Sequence, residues 1–118
     1  MDLITGPVPP YGEVMTNNTG MIARVWRGVV ASDRIEPYVD YVRETGVGEY
    51  LRTPGNRAAH ILSRDLGDGR AELVAFSLWD RYDDIRRFCG DDIDAMVLYP
   101  EDREYLLEEP TLSHYQVP

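Results

Sequence analysis

The sequence predicts an α+β domain of the ferredoxin-like type, with a four-stranded antiparallel sheet and elements in the order β-α-β-β-α-(α)-β. Two apolar segments, 21–30 and 70–79, have the composition of covered strands, and each is followed by an amphipathic helical pattern. The turn Gly67-Asp68-Gly69 joins the two middle strands as a hairpin. Helices on one sheet face leave the other face open, so we expect a homodimer that covers it.

The composition excludes several classes of protein and of binding partner. The 118 residues predict one domain, and 21 acidic against 12 basic residues give a net charge of −9. This charge argues against nucleic acid and against anionic membrane surfaces as partners. The single cysteine, Cys89, has no partner for an internal disulfide, and no apolar run reaches the length of a membrane span. We therefore expect a cytoplasmic protein.

Residues 1–20 contain prolines, glycines and two adjacent asparagines, and show neither a strand nor a helix period. They are predicted to form a flexible N-terminal arm before the domain at 21–118. The first strand, Met21 to Val30, has two mostly apolar faces. Ser32 or Asp33 then caps a helix with an apolar side at Ile35, Tyr38, Val39 and Val42, and Gly46 and Gly48 are expected to end or loosen it.

The second half begins with an alternating strand, Arg57 to Asp65, and the hairpin leads into a strand from Arg70 to Trp79. A helix from Tyr82 to Cys89 follows, with acidic residues in its first turn and Gly90 as its stop. Residues 92–98 are interpreted as a helical turn and 100–109 as a short helix. Residues 111–117 form the last predicted strand. Trp26, Val30, Phe76 and Leu78 are the residues expected to meet a second copy.

Four segments resemble the antibiotic biosynthesis monooxygenase family: MIARVWRG, TPGNRAAHIL, SLWDRYDDIRRFCGDD and the closing HYQV. The resemblance covers residues 21–117 and implies a ferredoxin-like protomer that dimerises through its sheet into a dimeric α+β barrel. The family includes cofactor-independent oxygenases of aromatic polyketide pathways, haem-degrading enzymes and members without an assigned function. The resemblance implies natural-product biosynthesis as the setting.

The resemblance also suggests pocket positions. Trp79 matches the tryptophan that family members place in their pocket. Ala75 stands where the cofactor-free oxygenases carry an asparagine, and Ile61 and Ile85 stand where they carry pocket tyrosines. The haem-degrading branch has a histidine on the second helix, which is absent here, and an asparagine where Arg27 stands. The resemblance therefore implies an enzyme without haem.

Trp79 and Ala75 share one strand face, with the small Ser77 between them, which leaves room for a ligand beside the indole. The alternative is an ordinary core tryptophan. Arg27 is predicted either as a pocket cation that pairs with an enolate, phenolate or carboxylate, or as a partner in a salt bridge.

His60 and His114 are candidate bases, because an unperturbed imidazole titrates near neutral pH and can take a phenol proton. The alternative for each is a surface or interface histidine. Tyr82 is a candidate hydrogen-bond donor, and Phe88 lies on the same predicted helix face as Ile85. Two histidines without a spaced carboxylate do not predict a metal site.

No nucleotide fingerprint, phosphate loop or Ser-His-Asp order is present in the sequence. The substrate must then supply much of the chemistry, as an electron-rich phenol or enol does once it is deprotonated. We expect a monooxygenase without a cofactor that acts on an aromatic, polyketide-type intermediate by deprotonation and anion stabilisation. A cyclase or isomerase with the same pocket, and a dimer that only binds small molecules, are the alternatives.

Overall fold

A computed structural model describes residues 18–118, so most of the predicted arm, residues 1–17, lies outside the described residues. The strands are β1 Ile22–Ala31, β2 Asn56–Gly67, β3 Arg70–Trp79 and β4 Thr111–Gln116. The helices are α1 Ile35–Glu44, α2 Gly46–Arg52, α3 Tyr82–Cys89 and α4 Asp102–Tyr105, with a 3₁₀ turn at Ser32–Arg34 before α1.

The four strands form one sheet in the order β2-β3-β1-β4. Each neighbouring pair is antiparallel. β3 therefore lies between β1 and β2, which the helical connection α1–α2 joins. This is the predicted ferredoxin-like plan, and the fold class is confirmed.

The core lies between one face of the sheet and the helices, and we call this face the covered face. β1 contributes Ile22, Trp26 and Val30, β3 contributes Leu73, Ala75 and Trp79, and the helices contribute Tyr38, Val42, Val47, Tyr50 and Ile85. Gly28 belongs to the same face. A side chain there would meet Leu106 and the ring of Trp26 at 2.7 and 2.8 Å. A glycine at this position lets both side chains lie flat on the sheet.

We call the opposite side of the sheet the open face. Because strand residues alternate, it carries Val25 and Arg27 from β1, and Val74, Phe76 and Leu78 from β3. The exposed Leu62 of β2 and Tyr115 of β4 share this side, at 53% and 58% relative exposure. The helices of the described residues pack on the covered face, and on the open face Val29 is nevertheless only 1% exposed and Glu108 reaches Arg27.

The prediction that Trp26 and Val30 face a second copy is wrong. Both are buried inside the protomer, and Trp26 pairs in register with Ala75 on the covered face. Phe76 pairs with Val25 and does lie on the open face. The predicted set of four thus mixed two sides of the sheet.

Three helical predictions also change. The first helix does end here, at Glu44 and two residues before Gly46, but both glycines lie within the next helix, α2, where Val47 and Tyr50 are buried against the core. Residues 92–98 form no helix, only a turn and irregular backbone. Only Asp102–Tyr105 of the predicted helix at 100–109 is helical. Packing of α2 outweighs the weak helix propensity of glycine.

The β3–α3 junction agrees with the sequence. β3 ends at Trp79, and α3 runs from Tyr82 to Cys89 with Asp83 and Asp84 in its first turn. Gly90 then ends α3 with a φ of 93°, a conformation that favours glycine. In the described part of the chain, no helix is long and apolar enough to cross a membrane.

Candidate functional site

A small cavity lies between the covered face and the helices. Its volume is about 30 Å³. This is room for about one or two water molecules. The wall includes Arg24, Trp26 and Ala75 from the sheet, Tyr50 and Phe88 from the helices, and Tyr99 from the connection after α3. A cation, two tyrosines and further aromatic side chains therefore line one small cavity.

Arg24 is the principal charge of this cavity. β1 places it on the covered face, and only 1% of the residue is exposed. Its Nε donates to the Tyr50 hydroxyl at 3.3 Å, and its Nη1 donates to the Ile93 carbonyl at 2.9 Å. The guanidinium carbon lies 5.4 Å from the centre of the Phe88 ring. The partners found for this buried cation are neutral.

No aspartate or glutamate of residues 18–118 lies within 4.0 Å of Arg24. A buried charge usually has an opposite charge or complete hydrogen bonding to offset its loss of hydration. A ligand that brings negative charge to this point would gain an interaction that the described side chains do not supply.

His114 lies directly against Arg24. Its Nε2 is 3.0 Å from Arg24 Nη1, and its Nδ1 is 3.5 Å from Oδ1 of Asp94. Because a guanidinium only donates, Nε2 must accept and the proton of a neutral ring lies on Nδ1. Burial, and then the charge of Arg24, lower the pKa of His114, whereas Asp94 partly opposes them. We infer a neutral imidazole at pH 7.

The two tyrosines of the wall stay protonated. Burial raises the pKa of Tyr50 although Arg24 opposes the shift. Burial, and then the charge of Glu49, raise the pKa of Tyr99 to about 12. The Tyr50 ring meets Phe88 and Trp79 edge-on, at 4.8 and 5.6 Å between ring centres. These neutral hydroxyls can donate hydrogen bonds to a ligand.

The predicted β3 residues lie as a row on the covered face. Ala75 lines the cavity, and its small side chain leaves the wall open there. Trp79 is fully buried behind Tyr50 and Phe88, and its Nε1 donates to Ser77 Oγ at 2.8 Å. Trp79 thus supports the wall without being part of it.

The remaining covered-face candidates surround this site. Phe88 lines the cavity, and Tyr82 packs with its ring centre 6.5 Å from that of His114. Ile85 is fully buried in the core, and Ile61 packs against the core from β2. Like Trp79, these two isoleucines shape the surroundings and do not form the wall.

Arg27 and His60 lie on the other side of the sheet. Arg27 pairs with the carboxylate of Glu72 on the open face and reaches Glu108 at 3.8 Å. His60 is exposed and stacks on Phe76, with 6.4 Å between ring centres. The structure therefore does not bring these two predicted residues to the cavity, and it brings Arg24 there in their place.

Asp102 is a second residue that the sequence concealed. Its acidic neighbourhood suggested a solvated helix start, yet it is only 4% exposed and lines the cavity. Its Oδ1 accepts from the Tyr38 hydroxyl at 2.8 Å, and its Oδ2 accepts from the backbone N–H of Tyr99 at 2.7 Å. Burial and the negative charge of Asp102 raise the pKa of Tyr38. Asp102 thus fixes the end of the connection after α3.

That connection, residues 90–101, closes the cavity without a helix or strand. It contributes Val97 and Tyr99 to the wall and Ile93 and Asp94 to the contacts of Arg24 and His114. Within residues 18–118, no group of three or more histidine, cysteine, aspartate or glutamate side chains is arranged to hold a metal ion.

No family model and no curated protein matches the sequence. Solved structures do share the fold. A monooxygenase of Streptomyces coelicolor, in complex with nanaomycin D, is 19% identical with a TM-score of 0.58 over 90% of this chain and 94% of that one. A variant of SnoaB, a cofactor-independent oxygenase from Streptomyces nogalater, is 17% identical with a TM-score of 0.57 over 84% and 94%.

A Bacillus cereus protein provisionally named an antibiotic biosynthesis monooxygenase is 15% identical with a TM-score of 0.61, over 83% of this chain and 93% of that one. At these identities the likeness establishes a common fold. The resemblance seen in the sequence is confirmed at that level.

Proposed function

We propose that this protein is a cofactor-independent monooxygenase that acts on an aromatic, polyketide-type intermediate by deprotonation and anion stabilisation. One observation carries the proposal: a buried arginine without a carboxylate within 4.0 Å among residues 18–118 lies on a cavity wall against a neutral histidine. The fold is shared with a cofactor-independent oxygenase, which supports the same reading by analogy.

His114 and Arg24 divide the chemistry between a base and a cation. In this reaction Arg24 Nη1 leaves Nε2 of His114 and turns to the substrate oxygen, and the freed lone pair of Nε2 takes the proton of the phenol or enol. Arg24 stabilises the resulting oxyanion, and the Tyr50 and Tyr99 hydroxyls on the same wall donate hydrogen bonds to it.

The substrate anion itself supplies the electrons. It transfers one electron to molecular oxygen, and recombination of the two radicals gives a peroxide at the activated carbon. When that carbon is a methylene group, loss of water leaves a carbonyl. The methylene and one oxygen molecule thus become one carbonyl and one water, so no external reductant is required.

Alanine at position 75 favours a second candidate. Cofactor-free oxygenases of the family that the sequence resembles carry an asparagine at this position, and Ala75 offers the cavity no side-chain hydrogen bond. A cyclase or isomerase needs only a cation and a base, which Arg24 on the wall and its neighbour His114 would supply. A non-catalytic dimer that binds small molecules would use the same cavity without turnover.

Oxygen uptake with an anthrone or a naphthol, without added flavin, haem or metal, tests the proposal. A monooxygenase converts either substrate to a quinone under air but not under argon: one oxygen molecule is consumed, one water is released, and the product gains the mass of one oxygen atom less two hydrogens. Equal conversion under argon, without added oxygen mass, would identify a cyclase or isomerase and overturn the oxygenase proposal. Recovery of unchanged ligand under both gases would indicate a binding protein.

The homodimer is part of this proposal. The open face presents Val25, Phe76 and Leu78 beside the exposed Leu62 and Tyr115. Burial of such a surface by a second copy would remove apolar area from water, and a two-fold axis would use the same patch twice.

A further inference from the structure

The connection after α3 is held at its middle by the site itself. Ile93 offers its carbonyl to Arg24 at 2.9 Å, and Asp94 approaches His114 at 3.5 Å. The ends have their own attachments: Asp91 accepts from Arg86 Nε at 3.2 Å, and Tyr99 N–H donates to Asp102. We call residues 91–98 the strap. Its centre depends on the two residues that would bind a ligand.

An aromatic ligand held between these walls needs more space than the cavity offers, so part of the wall has to move. A free space of about 30 Å³ is far below the roughly 300 Å³ of common ligand pockets. The sheet side is fixed by ladder hydrogen bonds, and α3 is fixed by Ile85 in the core. The strap has no helix or strand, and it carries the wall residue Val97. It is the part of the wall that can be displaced with the loss of few hydrogen bonds.

We propose that Arg24 is an oxyanion-binding site that the Ile93 carbonyl fills in the closed state, and that an aromatic carboxylate or phenolate enters by replacing this carbonyl. This inference deepens the proposed function and depends on the same cavity. A neutral carbonyl occupies the guanidinium where a charged acceptor would bind it more strongly. The ligand's negative charge therefore offsets the cost of displacing the strap.

Phe88 sets the shape of the ligand. Its ring packs against the guanidinium and against Tyr50, so the oxyanion must reach Arg24 from the cavity side with its ring next to aromatic side chains. A planar ring that carries the oxyanion on its edge satisfies both contacts. A small anion without a ring contacts only Arg24, and a neutral ring contacts only the aromatic side chains.

The first test compares 2-naphthoate with its neutral methyl ester by calorimetry and by tryptophan fluorescence. We expect 2-naphthoate to bind at least about tenfold more tightly, because a carboxylate makes a stronger hydrogen bond to the guanidinium than an ester carbonyl does. Arg24→Met should abolish this difference, and Arg24→Lys should retain part of it. The matched control is Arg27→Met, which removes an arginine three residues away on the open face and should leave the difference unchanged.

Equal affinity of the acid and the ester, or an undiminished preference in a folded Arg24→Met variant, would overturn the oxyanion site. Circular dichroism and thermal melting establish that each variant is folded. The probe 2-naphthoate does not react with oxygen. Its binding therefore succeeds or fails independently of turnover, so failure of the oxygenase proposal and failure of this site are distinguishable.

Displacement of the strap has a separate readout. The amide of Ala95 donates to the Asp92 carbonyl at 3.0 Å and reports the closed conformation by slow hydrogen exchange. Saturation with 2-naphthoate should raise exchange across residues 91–98 by about fivefold or more, while amides of β1 and β3 keep their rates. The same segment should exchange faster in Arg24→Met without ligand. Unchanged or slower exchange in the liganded protein would refute the displacement.

Discussion

Arg24 and Arg27 lie three residues apart on β1, and the sheet separates their environments. Arg27 points to the open face, where its side chain is 35% exposed and pairs with Glu72. Arg24 points to the covered face, where it is 1% exposed and has neutral neighbours in hydrogen-bond contact. One arginine takes part in a surface ion-pair network, whereas the other has hydrogen-bond partners among residues 18–118 that carry no negative charge.

Glu72 explains why Arg27 needs no ligand. Its carboxylate also accepts from Arg64 at 2.6 Å, so one carboxylate joins two strands across the open face. Hydrogen bonds from Arg64 and then from Arg27 lower the pKa of Glu72. The comparison teaches that the partner of a cation, and not its residue type, separates a structural charge from a candidate binding charge.

The largest expected effect is the difference between a charge placed on the covered face and the same charge placed on the open face. Trp26→Asp should prevent stable folding, because it replaces a core indole with a charge. The loss of the side chain alone costs about 3–5 kcal/mol. Phe76→Asp should leave the protomer folded and weaken only the dimer. Denaturant unfolding and sedimentation equilibrium measure the two effects.

Two results for Phe76→Asp would contradict this division between the core and the dimer interface. A Phe76→Asp protein that unfolds as readily as Trp26→Asp would show that the open face belongs to the protomer core. A Phe76→Asp protein that stays dimeric at micromolar concentration would place the interface elsewhere.

The next effect concerns turnover. Arg24→Met should reduce the rate of oxygen uptake by about 100-fold, the usual loss when one stabilising donor of a developing oxyanion is removed. Arg27→Met should stay within about twofold, because Arg27 lies across the sheet from the cavity. The two variants should not differ in stability as they differ in rate. In Arg24→Met the methionine fills the buried site of the arginine without leaving an unpaired charge there.

Steady-state rates under air, with unfolding midpoints on the same samples, measure this pair. Equal rates for Arg24→Met and wild type would remove Arg24 from the mechanism. A comparable loss in Arg27→Met would indicate that the open face, or a partner copy bound to it, contributes to the reaction.

The sequence predicts element boundaries correctly where local turn or capping signals agree with the hydrophobic periodicity. Trp79, Asp80 and the acidic first turn of α3 define the strand-to-helix junction, and the structure has both boundaries there. The hairpin is equally local: Gly67, Asp68 and Gly69 all adopt positive φ, as the turn requires. The fold class follows from such signals because they fix the order of the elements.

Arg24 required information that is not local. Both faces of β1 are mostly apolar, so alternation alone does not say which one the helices cover. The answer lies in pairing across the chain, since Arg24 is opposite Ser77 on β3 and His114 on β4. Gly46 and Gly48 illustrate the same limit: α1 ends just before them, as predicted, but the packing of Val47 and Tyr50 stabilises a second helix that contains both glycines.

The strap is the least predictable part of the site. Ile93 contributes through its backbone carbonyl, which no side-chain pattern can signal, and Asp94 belongs to an acidic run that resembles a solvated helix start. Asp102 was concealed in the same way. The partners that decide their roles, Arg24, His114 and Tyr38, are all distant in sequence.

The smallest expected effect is a difference in the pH at which His114, on the covered face, and Glu72, on the open face, lose their contributions to stability. The pKa of His114 is lowered from 6.5, so the unfolded chain binds a proton more readily than the folded chain below that value. The contribution of neutral His114 to the free energy of unfolding is therefore fully present above about pH 6.5, and it is lost as the pH drops toward the lowered pKa. The pKa of Glu72 is lowered from 4.5, so its contribution is lost only below about pH 4.5.

Chemical unfolding of wild type, His114→Gln and Glu72→Gln at pH values from about 3 to 8 separates these windows. The difference between wild type and His114→Gln should change with pH mainly just below pH 6.5, and that for Glu72→Gln mainly below pH 4.5. Other acidic groups cancel in such differences. The rate of oxygen uptake should fall in the upper window as well, because protonated His114 no longer accepts a proton beside Arg24. A His114→Gln variant that keeps the wild-type rate of oxygen uptake and its pH profile would exclude His114 as the base and leave the cavity with Arg24 alone.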